Sequence, residues 1–81
     1  MASKNLAENP HERLANAIVL QAVADYRTVL RKVRKNSKNR EALNAALQIE
    51  KFFCSQWYQT LTSVDGEYLI VQLRKEVSQS K

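Results

Sequence analysis

The sequence predicts a small all-α domain, from its few turn residues, its many helix formers and its hydrophobic spacing. The chain of 81 residues contains one Gly and one Pro, whereas β-rich folds need many turn residues. Ala, Leu, Gln, Lys, Arg and Glu, which favour helices, are abundant. We predict three helices. The first two, over about 10–35 and 40–61, form a long antiparallel αα-hairpin, and a shorter third helix follows over about 63–77.

The first helix is signalled by Asn9 and Pro10, since Asn suits the N-cap and Pro the first helical position. Apolar residues then recur at the alternating spacing of four and three that is typical of a packed seam: Ala15, Val19, Ala22, Tyr26, Val29 and Val33. Residues 1–8 are polar and aperiodic, so they are predicted to form a flexible tail. The single domain is expected to span 9–77, with residues 78–81 frayed.

Four turn-forming residues at 36–39 separate the first helix from the second, and so short a connection predicts antiparallel neighbours. The second helix has one apolar face at helical spacing, made of Ala42, Leu43, Ala46, Ile49, Phe53, Cys54, Trp57 and Leu61. On this face Cys54 is interpreted as a buried small apolar residue. Trp57 is expected in the core.

The third helix is predicted from a capping box, in which Thr62 is followed three residues later by Asp65. Its main apolar face consists of Leu69, Ile70, Leu73 and Val77. Gly66 lies in line with that face and would allow another helix to approach closely. Tyr68 and Val71 point to a second side, which is typical of a helix between two partners.

Candidate catalytic residues are scarce. His11 is the single histidine and Cys54 the single cysteine, whereas a zinc site needs about four such ligands. There is no glycine-rich phosphate loop. We therefore expect no enzymatic activity, no metal and no cofactor. No apolar run is long enough to span a bilayer, and we expect a cytoplasmic protein.

The positive charge is concentrated in one segment. Residues 27–40 contain seven basic residues and no acidic one, here called the basic junction: Arg27, Arg31, Lys32, Arg34, Lys35, Lys38 and Arg40. On a helical wheel Arg13, Arg27, Arg31 and Arg34 lie opposite the seam. One interpretation is a solvated, solubilising face. The other is contact with phosphate or with an acidic protein surface, favoured because no interleaved acid relieves the repulsion.

Two further features concern apolar and buried positions. Glu50 lies within the apolar arc of the second helix, where a charge is costly unless paired. It is expected at the rim or paired with Tyr26, Arg27 or Arg31, or else to specify register or an oligomer. Three large residues project away from the seam, which predicts either packing of the third helix or a homodimer interface: Leu20, Phe52 and Tyr58.

The run from Phe52 to Ile70, with an aromatic-rich helix followed by Asp65-Gly66-Glu67-Tyr68-Leu69, resembles small helical proteins encoded by phages and integrative elements of Gram-positive bacteria. The resemblance covers roughly residues 14–77. It implies a setting, a bacterial host cell in which small mobile-element proteins often act stoichiometrically. A basic helical domain suits that setting, so we expect an accessory binding protein, such as an anti-CRISPR-like inhibitor of host defence, that docks its basic face on nucleic acid or on a nucleic-acid-handling enzyme. The alternatives are a direct DNA- or RNA-binding regulator and a self-assembling structural protein.

Overall fold

In a computed structural model, which describes residues 10–79 and side chains from Glu12 to Gln79, the chain is all-α, as predicted. The described part contains four helices, which are α1 (Pro10–Lys35), α2 (Arg40–Phe53), α3 (Gln56–Leu61) and α4 (Gly66–Gln79). The predicted tail at 1–8 and the last two residues lie outside the described residues. Over 10–79, no helix combines the length and apolarity that crossing a bilayer requires.

The helix α1 occupies the predicted range, and local hydrogen bonds close the turn after it. The amide of Asn36 donates to the carbonyl of Lys32, and that of Asn39 to the carbonyl of Asn36, each at 3.0 Å. Asn39 then caps α2, because its side-chain oxygen accepts from the amide of Ala42 at 3.1 Å. A short polar side chain replaces the missing intrahelical partner at such a position.

The predicted single helix over 40–61 is wrong, because the chain breaks at Cys54 and Ser55. The Ser55 hydroxyl accepts from the amide of Tyr58 at 3.1 Å and donates to the carbonyl of Phe52 at 2.7 Å. Serine is a preferred N-cap, and here it starts the separate helix α3. The predicted apolar face of the second helix does not continue past this break. Cys54 is exposed and Trp57 is 58% exposed, although both were expected to be buried.

The helix α4 begins at Gly66, three residues later than predicted. Asp65, and not Thr62, provides the cap: its carboxylate accepts from the amide of Glu67 at 3.0 Å, and its carbonyl from that of Leu69 at 3.1 Å. Thr62 instead accepts from the amide of Val64 within the loop. At its other end α4 continues to Gln79, past the predicted end at 77.

The centre of the domain is aromatic. Tyr26, Phe53 and Tyr58 are fully buried, and the ring of Phe53 lies 5.7 Å from that of Tyr26 and 5.5 Å from that of Tyr58, both edge to face. Such pairs contribute about 0.5–1.5 kcal/mol each beyond the area they bury. Leu73 of α4 and Ala46 of α2 complete the cluster. All four helices therefore meet around the last turn of α2.

Helix α1 packs against α2, α3 and α4, and α4 also packs against α2. Of the predicted seam on α1, only Tyr26 is fully buried, and the other five residues are half-buried. On α4 the prediction holds for Leu73 and Val77, which are buried. Tyr68 and Val71 are exposed, so the second apolar side of α4 faces solvent in the described structure.

Candidate functional site: the basic junction

The basic junction consists of the last turns of α1, the turn at 36–39 and the first residue of α2. Since α1 and α2 pack side by side across a short turn, its seven basic residues are gathered at one end of the hairpin. Their environments nevertheless differ, and they divide into two groups.

Two members of the junction bind α4. Arg27 forms a bidentate ion pair with Glu76, in which Nε lies 2.7 Å from Oε2 and Nη2 lies 3.3 Å from Oε1. The guanidinium of Arg34 donates to the backbone carbonyl of Val77. Both residues keep exposed surface, but α4 approaches that side of α1 and contacts each of them. Glu76 also supplies a negative charge that the sequence of 27–40 lacks.

The other five members, called the outer cations, are exposed, and none has an acidic partner among residues 10–79: Arg31, Lys32, Lys35, Lys38 and Arg40. Several are neighbours on α1, since Arg31 precedes Lys35 by four residues and Lys32 precedes it by three. Each such like-charged pair costs a helix about 0.2–0.5 kcal/mol. An anionic partner would remove this cost.

The helix dipoles favour only some of these basic positions. Lys32, Arg34 and Lys35 lie in the last turn of α1, where positive side chains are favourable by about 0.3–1 kcal/mol each. Lys38 and Arg40 stand at the start of α2, where the dipole is positive and favours acids such as Glu41. The basic side chains of Lys38 and Arg40 are therefore opposed by the local backbone field.

Glu50, near the end of α2, forms a three-way polar contact with α1 and α4. The Tyr26 hydroxyl donates to its Oε2 at 2.5 Å, and Nη2 of Arg74 donates to the same oxygen at 2.6 Å. Nε of Arg74 also donates to the Tyr26 hydroxyl oxygen at 3.2 Å. Of the three expected partners Tyr26 is present, while Arg27 binds Glu76 instead. Arg74 could not be predicted as a partner of Glu50, because helical periodicity does not relate residues 24 positions apart in the sequence.

The same contact predicts a loss of stability at alkaline pH. Burial, with a further contribution from the hydrogen bond to Glu50, raises the pKa of Tyr26 to about 12 from 10.0. Because the folded state favours the neutral phenol, this stabilisation is complete below pH 10 and is lost as the pH rises towards about 12. Tyr26→Phe has no phenol to ionise. Urea titrations give the free energy of unfolding of each protein. The value for wild type minus that for Tyr26→Phe should therefore fall as the pH rises from 10 towards about 12. A difference independent of pH would contradict the prediction.

The remaining sequence candidates are dispersed. Tyr58 is buried in the core and Phe52 is half-buried against Phe53, Trp57 and Tyr58, so these two pack within the monomer. Leu20 is exposed. The side chain of His11 lies outside the described part. From Glu12 to Gln79, no three His, Cys, Asp or Glu side chains come together as a metal site.

Comparison of the chain with models of protein families, with curated proteins and with solved structures gives no match.

Proposed function

We propose that the protein is a non-catalytic accessory binding protein that docks on nucleic acid through the outer cations. The observation that carries the proposal is the cluster of five exposed basic side chains that lack an acidic partner in the described structure. Phosphate groups would supply the missing negative charge, and Arg31 and Arg40 suit phosphate because a guanidinium donates two parallel hydrogen bonds. The cluster contains no base-reading motif, so binding is expected to be independent of sequence.

An origin in a phage or integrative element, which the resemblance of residues 52–70 suggests, fits a small stoichiometric protein of this kind. An anti-defence inhibitor that holds the nucleic acid of a host effector would use the same cations. A host enzyme with an acidic surface is the alternative partner. If the partner is such an enzyme, the protein should not bind free DNA or RNA. Direct binding to nucleic acid therefore distinguishes the two kinds of partner.

The test is the salt dependence of binding to labelled duplex DNA, single-stranded DNA and RNA, measured by fluorescence anisotropy. If all five outer cations contact phosphates of B-DNA, the log–log slope should be about −4 to −5, since each contact contributes about −0.9. Binding undetectable at about 50 mM salt on every one of these nucleic acids would refute direct docking on nucleic acid.

A matched pair of variants locates the contact. Lys35→Gln removes one outer cation and should weaken binding several-fold, with the slope reduced in magnitude by about 0.9. Lys51→Gln makes the identical change at an exposed position at the other end of α2, and should leave the slope unchanged. Equal effects of the two variants would show that net charge, and not the junction, governs binding.

A further inference from the structure

An open groove lies beside the basic junction, between the second half of α1, the middle of α2 and the last turns of α4. Its volume is about 540 Å³. Six apolar side chains line it, which are Leu30, Val33, Leu43, Ala46, Leu47 and Val77. On its α2 wall Leu43 is 40% exposed and Leu47 is 55% exposed. Two leucines one turn apart thus present apolar surface to solvent.

The groove exists because a small residue of α2 lies at its base. Ala46 lines the groove and is buried. An alanine fills little of the space between helices about 8–10 Å apart. The larger side chains at positions 43 and 47 stand beside this floor as a wall. The region therefore keeps a depression that no described side chain fills.

Of the four polar residues in the lining of the groove, two are basic, one is acidic and one is Ser78, so the lining carries a net positive charge. The basic residues are Arg34 and Arg74. The only carboxylate in the lining, that of Glu50, already accepts from Tyr26 and Arg74. Nη1 of Arg74 makes no hydrogen bond within residues 12–79, and its side chain is 58% exposed. The rim can thus receive a carboxylate.

We propose that this groove binds an acidic amphipathic helix of another protein. From Leu43 to Glu50 the α2 wall is seven residues long, or about 10 Å, which matches the span from i to i+7 on a partner helix. Apolar side chains at i, i+3 or i+4, and i+7 would enter the groove. Asp or Glu beside them would reach Arg74. This partner is separate from the nucleic acid proposed for the outer cations.

The experiment selects ligands from a displayed library of random peptides of about 16 residues, or four to five helical turns. The immobilised full-length protein is the target. The expected outcome is enrichment of sequences with apolar residues at helical spacing and flanking Asp or Glu. Enrichment of basic or aperiodic sequences would overturn the proposal, as would the absence of any enrichment.

Matched variants place the selected peptides in the groove. Leu47→Glu puts a negative charge on the groove wall and should weaken binding of a synthetic acidic peptide by at least about tenfold. Leu20→Glu makes the same change at a residue that is 66% exposed on α1, at least about 15 Å along the helix from Leu30. It should leave affinity within about twofold. Circular dichroism verifies that both variants fold.

Equal weakening by both variants would overturn the assignment to the groove. Sedimentation equilibrium addresses the remaining occupant, a second copy of the chain. A wild-type dimer that Leu47→Glu converts to a monomer, while Leu20→Glu does not, would assign the groove to self-association and overturn the acidic helix as its ligand.

Discussion

Phe53→Ala should destabilise the domain by about 3–5 kcal/mol, the usual cost of truncating a fully buried aromatic residue. Phe53 is 1% exposed, and its ring contacts those of Tyr26, Phe52 and Tyr58. A domain of this size has a total stability of roughly 4–12 kcal/mol, so the loss is a large share. Urea denaturation followed by far-ultraviolet circular dichroism measures it.

Trp57→Ala is the control, and its expected cost is far smaller, about 1 kcal/mol. Trp57 is 58% exposed, and among residues 12–79 its ring contacts that of Phe52 alone, at 5.5 Å. If Phe53→Ala does not fold, Phe53→Leu, which keeps most of the apolar volume, should still rank above Trp57→Ala in cost. A larger loss for Trp57→Ala would contradict the described core, because the helical spacing alone places both residues inside.

Gly66→Ala should also destabilise the domain, by roughly 2–3 kcal/mol, as overpacking does. A methyl carbon at Gly66 would lie 2.8 Å from the carbonyl carbon of Phe53 and closer still to the carbonyl oxygen. The obstacle is backbone at the end of α2, so it cannot turn aside as a flexible side chain could. Relief requires that α4 move away from α2, which would loosen Leu73 and Val77.

The sign of this effect is diagnostic, because alanine is the better helix former by about 1 kcal/mol in a helix interior. If the start of α4 were free of α2, Gly66→Ala would leave stability unchanged or raise it. Thermal unfolding distinguishes these outcomes, since each kcal/mol shifts the Tm of so small a domain by about 4–8 °C. Gln72→Ala, at an exposed position of α4, should change stability by no more than about 0.5 kcal/mol.

Much of the fold could be predicted because its signals are local. The range of α1 follows from Pro10 and from apolar spacing, and the turn at 36–39 from residues whose side chains bond nearby backbone. The burial of Tyr26, Phe53 and Leu73 follows from helical periodicity. Gly66 predicted a close approach, although not which helix would make it.

The location of the candidate site could be predicted from the sequence, but the contacts of its residues could not. Seven basic residues within 27–40 are visible in the sequence. The division into two bound arginines and five outer cations is not, because Glu76 and Val77 lie more than forty residues away from Arg27 and Arg34. Likewise, a pairing of Glu50 with Tyr26 was one of several expectations, and only the docking of α4 adds Arg74 to this contact.

The sequence by itself determined the all-α class, the hairpin turn and the concentration of positive charge at one end of it. These properties depend on residues within a few positions of one another. The tertiary structure decided the break at Cys54 and Ser55, the exposure of Trp57, the start of α4 at Gly66 and the groove beside the basic junction. The caps at Ser55 and Asp65 are themselves local, but the choice among possible caps and the faces that become covered depend on which helices come into contact. Periodicity within one helix carries no information about the element that will cover its face.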